Sequence, residues 1–272
     1  DISVGATTAI AGSVLLRVLC GTNSRPETLQ APIIVAFLVA CVVAMLFGAF
    51  NGVLVAVFKI QPMIATLILY TAGRSIAAWI NNNELPVVSD ETLTYFGEFI
   101  PGIPIPTPFF IAVACMIVIG LVLKFTNLRL YTQAVGINEN SSKLNGLNPV
   151  FIKILSFVIL GLCVAVVGLI KVARISTINY SVIAKDIEMD AILAVALGGN
   201  ALSGGKFNMT ASIIGAYVIQ CLTTTLYKFQ VRSDALPAYK AIVVIVLVIV
   251  SAPVVREKFN AFMAKRKVKE AA

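Results

Sequence analysis

The side chains that most enzymes use for acid, base or metal chemistry are missing or scattered in this sequence. Its 272 residues contain no His, which removes imidazole acid–base chemistry and the HExxH zinc motif. Cys20, Cys41, Cys115, Cys163 and Cys221 stand singly in apolar stretches, with no CxxC pair. They read as small apolar residues facing core or lipid. One stretch invites a phosphate-binding reading: DAILAVALGGNALSGGKFN, residues 190–208. A P-loop requires GxxxxGK[ST], whose hydroxyl binds Mg²⁺. Counting back from Gly205-Lys206, the first glycine position is Asn200, and Phe207 follows Lys206. The sequence therefore argues against ATP binding by this chain.

The elements that carry these residues are apolar. The chain is 59% hydrophobic and 12% charged, with a mean hydropathy of +0.95. A soluble domain carries about 25% charge, so the expected solvent is largely lipid. Ala31–Phe58 is a run of 28 uncharged residues; 109–123, 154–170, 208–227 and 241–255 are also uncharged, and Met63–Ile80 holds only Arg74. These runs predict six or seven spanning or half-spanning helices, an all-α polytopic bundle with broken or re-entrant helices, forming a single membrane domain over 1–272.

The net charge of +8 is unevenly placed. Loop 81–107 carries Glu84, Asp90, Glu91 and Glu98 and no cation, whereas 124–153 and the tail 256–272 are rich in Lys and Arg. That is the positive-inside pattern, not a nucleic-acid footprint. It places loop 81–107 outside and the 124–153 connection and the C-terminus inside. The connection after Ile170 goes against the pattern, with Lys171, Arg174 and Lys185 beside Asp186 and Glu188.

Within residues 190–208 an apolar helix breaks at two doublets, Gly198-Gly199 and Gly204-Gly205. Irregular backbone at membrane depth survives only where protein or a water-filled cavity covers it. Asn200 and Ser203 can bond the freed backbone groups, and Asp190 should face the bundle interior, water or headgroups. The break is either a loop beside a translocation path or a plain turn between packed helices.

A second signal lies inside the cell by this topology. Asn138 can cap a helix, Glu139 and Lys143 suit its two ends, Gly146 stops it and Pro149 blocks continuation. Residues 139–145 should form one short polar helix, a docking knob or an ordinary solvated loop. Lys59–Pro62 should be a tight turn. Arg74 either snorkels or pairs with an acid. Gly48 and Gly52 form a GxxxG pair suited to close helix contact, or occur by chance in a glycine-rich chain. ISVG at 2–5 echoes LSGG at 202–205, a faint trace of the duplicated halves common in transporters.

Four ordered motifs resemble the permease subunits of bacterial ABC sugar importers of the ribose/galactose/xylose type. DISVGA at 1–6 resembles the end of that family's GGIDLSVGA motif. NGVLVAVFKIQPMIATL resembles its NGxLVA…PFIATL stretch, with Met63 for Phe. AVGINENSSKLNGLN resembles its AxGxNxxAAxxxG segment, with Ser141 and Ser142 for the alanines. DAILAVALGGNALSGGKFN resembles its DAIAAVxLGGxxLxGG element; the GGKFN ending is closer to galactofuranose-linked members. Asn208 departs from the family's usual Gly.

The resemblance implies about two helices before Asp1. It implies a bacterial inner-membrane pore formed with a second permease, identical or paralogous, in the lipid bilayer. A periplasmic sugar-binding protein would deliver cargo, and a cytoplasmic ABC ATPase would bind and hydrolyse ATP-Mg. This chain would bind no cofactor and do no covalent chemistry. Gly136, Asn138, Glu139, Ser141, Ser142, Lys143 and Gly146 would couple to the ATPase. Ser3, Gly5, Asp190, Gly198, Gly199, Asn200, Ser203, Gly204 and Gly205 would line or gate the path. Permeases for branched-chain amino acids or nucleosides share this architecture. A secondary transporter would usually place ionisable groups at mid-membrane, and few are here apart from Arg74 and Asp190. A membrane enzyme fits least.

Overall fold

The helix over Ile33–Ala56, α2, shows how this chain folds. Ala36, Ala40, Ala44, Gly48, Gly52 and Ala56 recur every fourth residue and are buried or half-buried, whereas Ile34, Leu38, Val42, Leu46 and Phe50 recur at the same interval and are exposed. A water-soluble helix does the reverse. In lipid, large apolar side chains cost nothing outside, and small ones let backbones approach.

The computed structural model describes residues 1–26, 28–100, 102–200, 204–232 and 235–251. Ser203 and the basic tail 256–272 lie outside the described residues. The chain is all-α: α1 (Val4–Cys20), α2 (Ile33–Ala56), α3 (Pro62–Ile80), α4 (Glu91–Thr94), α5 (Thr107–Phe125), α6 (Leu128–Ile137), α7 (Glu139–Leu144), α8 (Pro149–Ile175), α9 (Ile187–Leu197), α10 (Met209–Lys228) and α11 (Leu236–Ser251). Of these, α2, α3, α5, α8 and α10 are long and apolar enough to cross a membrane. The two proline-led starts, Pro62 and Pro149, sit at the first helical position, where a missing N–H is harmless.

Two compact units form. The first comprises 1–189 with 203–207, the second 190–202 with 208–272. In the first, α1 is the hub and packs on α2, α3 and α8, while α2 packs on α8. Chance does not explain Gly48 and Gly52. A Cβ on Gly48 would stand 2.3 Å from Phe157 O, and one on Gly161 of α8 2.4 Å from Ala44 O. The two backbones touch, and nothing larger than glycine fits between them.

At one end of this unit, loop 81–107 lies over the ends of α1 and α8. Val88 N–H donates to Ser176 O at 2.9 Å, Val87 N–H to Ser24 O at 2.9 Å, and Thr177 Oγ1 to Pro86 O at 2.8 Å. From there the chain does not turn straight into α9. Residues 176–186 run irregularly, with Ser176, Ala184 and Asp186 at φ of 53°, 51° and 63°. Lys185 and Asp186 of the charges that went against the positive-inside pattern lie here; Lys171 and Arg174 belong to the end of α8 and Glu188 to α9. In the second unit, α9 and α10 meet backbone to backbone: a Cβ on Gly215 would stand 2.1 Å from Ala194 O.

Candidate functional site

The short helix anticipated at 139–145 forms as α7. Asn138 is its N-cap and accepts from Ser141 N–H at 3.0 Å, while Lys143 O and Ser142 O take the N–H groups of Gly146 and Leu147 at 3.1 Å each. Gly146 is left-handed at φ 82° with nothing within 4 Å of a Cβ; the glycine ends the helix in open space. Glu139 pairs with Lys153 at 2.5 Å. Ser141 and Lys143 are exposed, but Ser142 is buried and its hydroxyl is committed to Asn138 O at 2.9 Å. Leu144 at the tip is 90% exposed. At the first turn of the helix, away from that tip, an open groove of about 510 Å³ is lined by the Lys59–Pro62 turn, Glu139, Asn140, Lys153 and the start of α8.

What precedes α7 was read as a plain connection and is a ten-residue helix, α6. Its Gly136 meets the second glycine doublet. A Cβ on Gly136 would stand 2.7 Å from Gly205 N, and one on Gly204 2.8 Å from Gly136 O. Gln133 Nε2 donates to Phe207 O at 3.2 Å across the same junction. Gly204 and Gly205 are left-handed at φ 98° and 83°, a conformation glycine adopts without strain. The helix leading into α7 is thus seated against the broken segment.

The first doublet does something different. Gly198 packs on α10, 2.5 Å from Ala211 O at its Cβ position, and Gly199 turns at φ 73°. Asn200 closes the break: its Oδ1 accepts from Asn208 N–H at 2.5 Å and its Nδ2 donates to Ser212 Oγ at 2.8 Å and Val195 O at 3.3 Å. Asn208, the departure from the family pattern, caps α10 by accepting from Ala211 N–H at 3.2 Å. Asp190 pairs with Lys240 of α11 at 2.8 Å.

The N-terminal end of α1 gathers the polar groups of the first unit. Ser3 is fully buried; its hydroxyl accepts from Asn51 Nδ2 at 2.9 Å and lies 3.5 Å from Thr7 Oγ1. Ser3 makes no side-chain cap. Glu188 supplies one instead, accepting from Gly5 N–H at 3.2 Å. A carboxylate there meets both an orphan donor and the positive end of the helix dipole. Glu188 is 1% exposed. Sequence reasoning noted it only as one of several loop charges and missed Asn51 and Thr66, which accepts from Ile2 N–H at 3.1 Å. Asn51 is a lone amide in an uncharged run, and that was the available signal. Arg74 forms no salt bridge among the described residues; its Nη1 donates to Tyr180 O at 2.8 Å and Ile183 O at 3.0 Å.

Residues 1–252 fit the model of the family described as branched-chain amino acid transport system / permease component. The chain is 35% identical to the fructose import permease protein FruF of Bifidobacterium longum, over 99% of this chain and 74% of that protein. It is 37% identical to the galactofuranose transporter permease protein YtfT of Escherichia coli, over 92% and 71%. Identity to the ribose import permease protein RbsC of Escherichia coli is 32%, over 92% and 76%. No solved structure gives a significant match. With its long apolar helices and a family match over nearly its whole length, the chain is a multi-pass membrane protein that belongs to this family of transport-system permease components.

Proposed function

We propose that the chain is the permease subunit of an ATP-driven sugar importer in the bacterial inner membrane, with loop 81–107 periplasmic and α7 and the C-terminus cytoplasmic. The three relatives named above carry fructose, galactofuranose or ribose in their names, so the cargo class is a pentose or hexose. A second permease completes the pore, a periplasmic binding protein delivers the sugar, and a separate ATPase binds and hydrolyses ATP-Mg.

The observation that carries the reading is α7. A six-residue polar helix capped at both ends has Leu144 90% exposed at its tip and an open groove at its first turn, a shape that suits it to receive a push. An apolar tip on a polar surface gives a partner something to bury. Asn138, Glu139, Lys143 and Gly146 hold the helix, and Ser141 presents its outward face. Gly136 joins it to Gly204 and Gly205; Ser3 and Gly5 are the path candidates of the first unit, and Asp190, Gly198, Gly199 and Asn200 those of the second. The buried Ser142 holds the helix rather than meeting the partner.

The test is a cysteine-free permease with one cysteine at Ser141, cross-linked in membranes to a cysteine-scanned ATPase subunit. A specific cross-link that changes with ATP is expected. No cross-link at any exposed position from 138 to 146, with both proteins present, sinks the coupling assignment and favours a secondary transporter.

A further inference from the structure

Charges inside a membrane bundle need partners, and two in the first unit, the half-buried Arg74 and the buried Glu188, have unusual ones. Arg74 lies on α3, a helix otherwise uncharged. Its Nη1 holds the carbonyls of Tyr180 and Ile183, while its Nη2 is buried and has no hydrogen-bond partner among the described residues. Glu188 lies in the first turn of α9 and holds Gly5 N–H of α1. The point a Cβ on Gly5 would occupy is 2.6 Å from Glu188 Oε2 and 3.3 Å from Arg74 Nη2. Guanidinium and carboxylate therefore flank one spot that glycine keeps empty, without a direct salt bridge between them.

Each charge is fastened to the backbone of an element other than its own. Arg74 on α3 gathers the irregular segment 177–186. Glu188, at the end of that segment, gathers the start of α1. The segment needs such fastening, because Ala184 and Asp186 are non-glycine residues at positive φ. Conformations of that kind cost on the order of 1 kcal/mol each and persist only where the surroundings over-determine them. The carbonyl of Ala184 itself lies 2.4 Å from the Gly5 Cβ point, so α3, the irregular segment, α9 and α1 converge there.

We propose that Arg74 and Glu188 are a pair of positioning residues. Acting as one unit, they fix the 177–187 segment and the first turn of α9 on the N-terminal end of α1, and transport turnover depends on that fixing. Asp190 and the remainder of α9 follow Glu188 directly in the same helix, so the pair sets where that helix begins. In its transport readout the inference rests on the sugar-importer reading.

The experiment uses the full importer, permease with ATPase and binding protein, reconstituted in proteoliposomes. It compares Arg74→Gln, Glu188→Gln, the double variant and Arg74→Lys. Each single neutralisation is expected to lower maximal sugar uptake by about tenfold or more, with KM for the sugar-loaded binding protein within about twofold, since turnover and not docking is lost. The double variant falls no further than the worse single one, as expected of two groups in one network. Arg74→Lys keeps the charge and recovers part of the rate that Arg74→Gln loses. Additive losses, or single variants that transport at the unsubstituted rate, overturn the pairing.

A second readout needs no cargo. Amide exchange on the purified permease should rise at residues 177–187 and 4–8 in each single variant, with α10 unchanged. Exchange that rises everywhere or nowhere overturns the pair. An unsubstituted importer that takes up no sugar, together with the localised exchange, sinks the cargo assignment and supports the pair. Sugar uptake by the unsubstituted importer together with unlocalised exchange sinks the pair and keeps the cargo.

Discussion

Helices α1 and α5 have 17 and 19 residues, yet they occupy opposite environments. Fourteen residues of α1 are buried, and none of α5 is. By sequence the order looks reversed. α5 is the more apolar, rich in Phe, Ile, Val and Leu, and it qualifies as a membrane span; α1 carries Thr7, Thr8, Ser13, Arg17 and five small Ala or Gly positions before Ser13, and is too short to qualify. At 1.5 Å per residue α1 reaches about 25 Å, against a hydrocarbon core of about 30 Å. Water drives apolar side chains inward, but lipid has no such preference. Between helices in a bilayer the gain comes from close approach and from polar groups bonded to each other. High hydropathy therefore marks the surface of this bundle, and small and hydroxyl-bearing residues mark its core.

The largest expected effect tests that contrast with glycines. In Gly5→Ala the new methyl would stand 2.4 Å from Ala184 O and 2.6 Å from Glu188 Oε2, and the first of these is backbone. Something must move, and overpacking of this kind costs about 3 kcal/mol or more once a charged contact is displaced. On α5, Gly120→Ala meets nothing within 4 Å and should gain up to about 1 kcal/mol from helix propensity. Thermal unfolding of the detergent-purified permease reads both. A Gly5→Ala protein that melts like the unsubstituted one removes the convergence at α1.

Next comes the removal of size. Leu15 is 1% exposed and Leu121 is 46% exposed. Leu15→Ala should cost about 2–5 kcal/mol for the cavity it leaves, whereas Leu121→Ala exchanges protein surface for lipid and should cost under about 1 kcal/mol. Equal losses would break the comparison and show that another chain or segment covers α5.

A smaller effect is expected at the α2–α8 seam. Gly48→Ala must push Phe157 O away from 2.3 Å, for about 1–3 kcal/mol. This seam was half-legible. The four-residue spacing of Gly48 and Gly52 indicated close contact but named no partner, since a helix–helix contact is long-range. The local features were read best. Asn138, Glu139, Lys143 and Gly146 write the start and stop of α7 within nine residues, and the uncharged runs, with the Arg74-bearing run 63–80, give α2, α3, α5, α8 and α10. The glycine doublets signalled a break, but not that Gly198 would pack on α10 while Gly204 and Gly205 pack on Gly136. Glu188 was the least legible. Nothing in its neighbourhood says that a glutamate among loop charges will cap a helix 183 residues away, because that contact exists only once the 176–186 segment folds inward.

The smallest effect isolates the polar side of the rule. Ser13 in α1 is fully buried, and its Oγ has no hydrogen-bond partner among the described residues. The other buried hydroxyls at this helix are engaged: Thr8 Oγ1 donates to Val4 O at 2.8 Å, and Ser3 accepts from Asn51. A hydroxyl left unbonded in the bundle forfeits the water it could bond when unfolded, so Ser13→Ala should stabilise the permease by up to about 1 kcal/mol. Thr8→Ala removes a bonded hydroxyl and should shift the melt by no more than about 1 kcal/mol in the other direction. Opposite signs at two sites five residues apart on one buried helix would show that bonding, and not polarity, decides what a hydroxyl contributes there. If Ser13→Ala instead destabilises, its hydroxyl is bonded during folding or transport, and α1 is a polar lining rather than a packed hub.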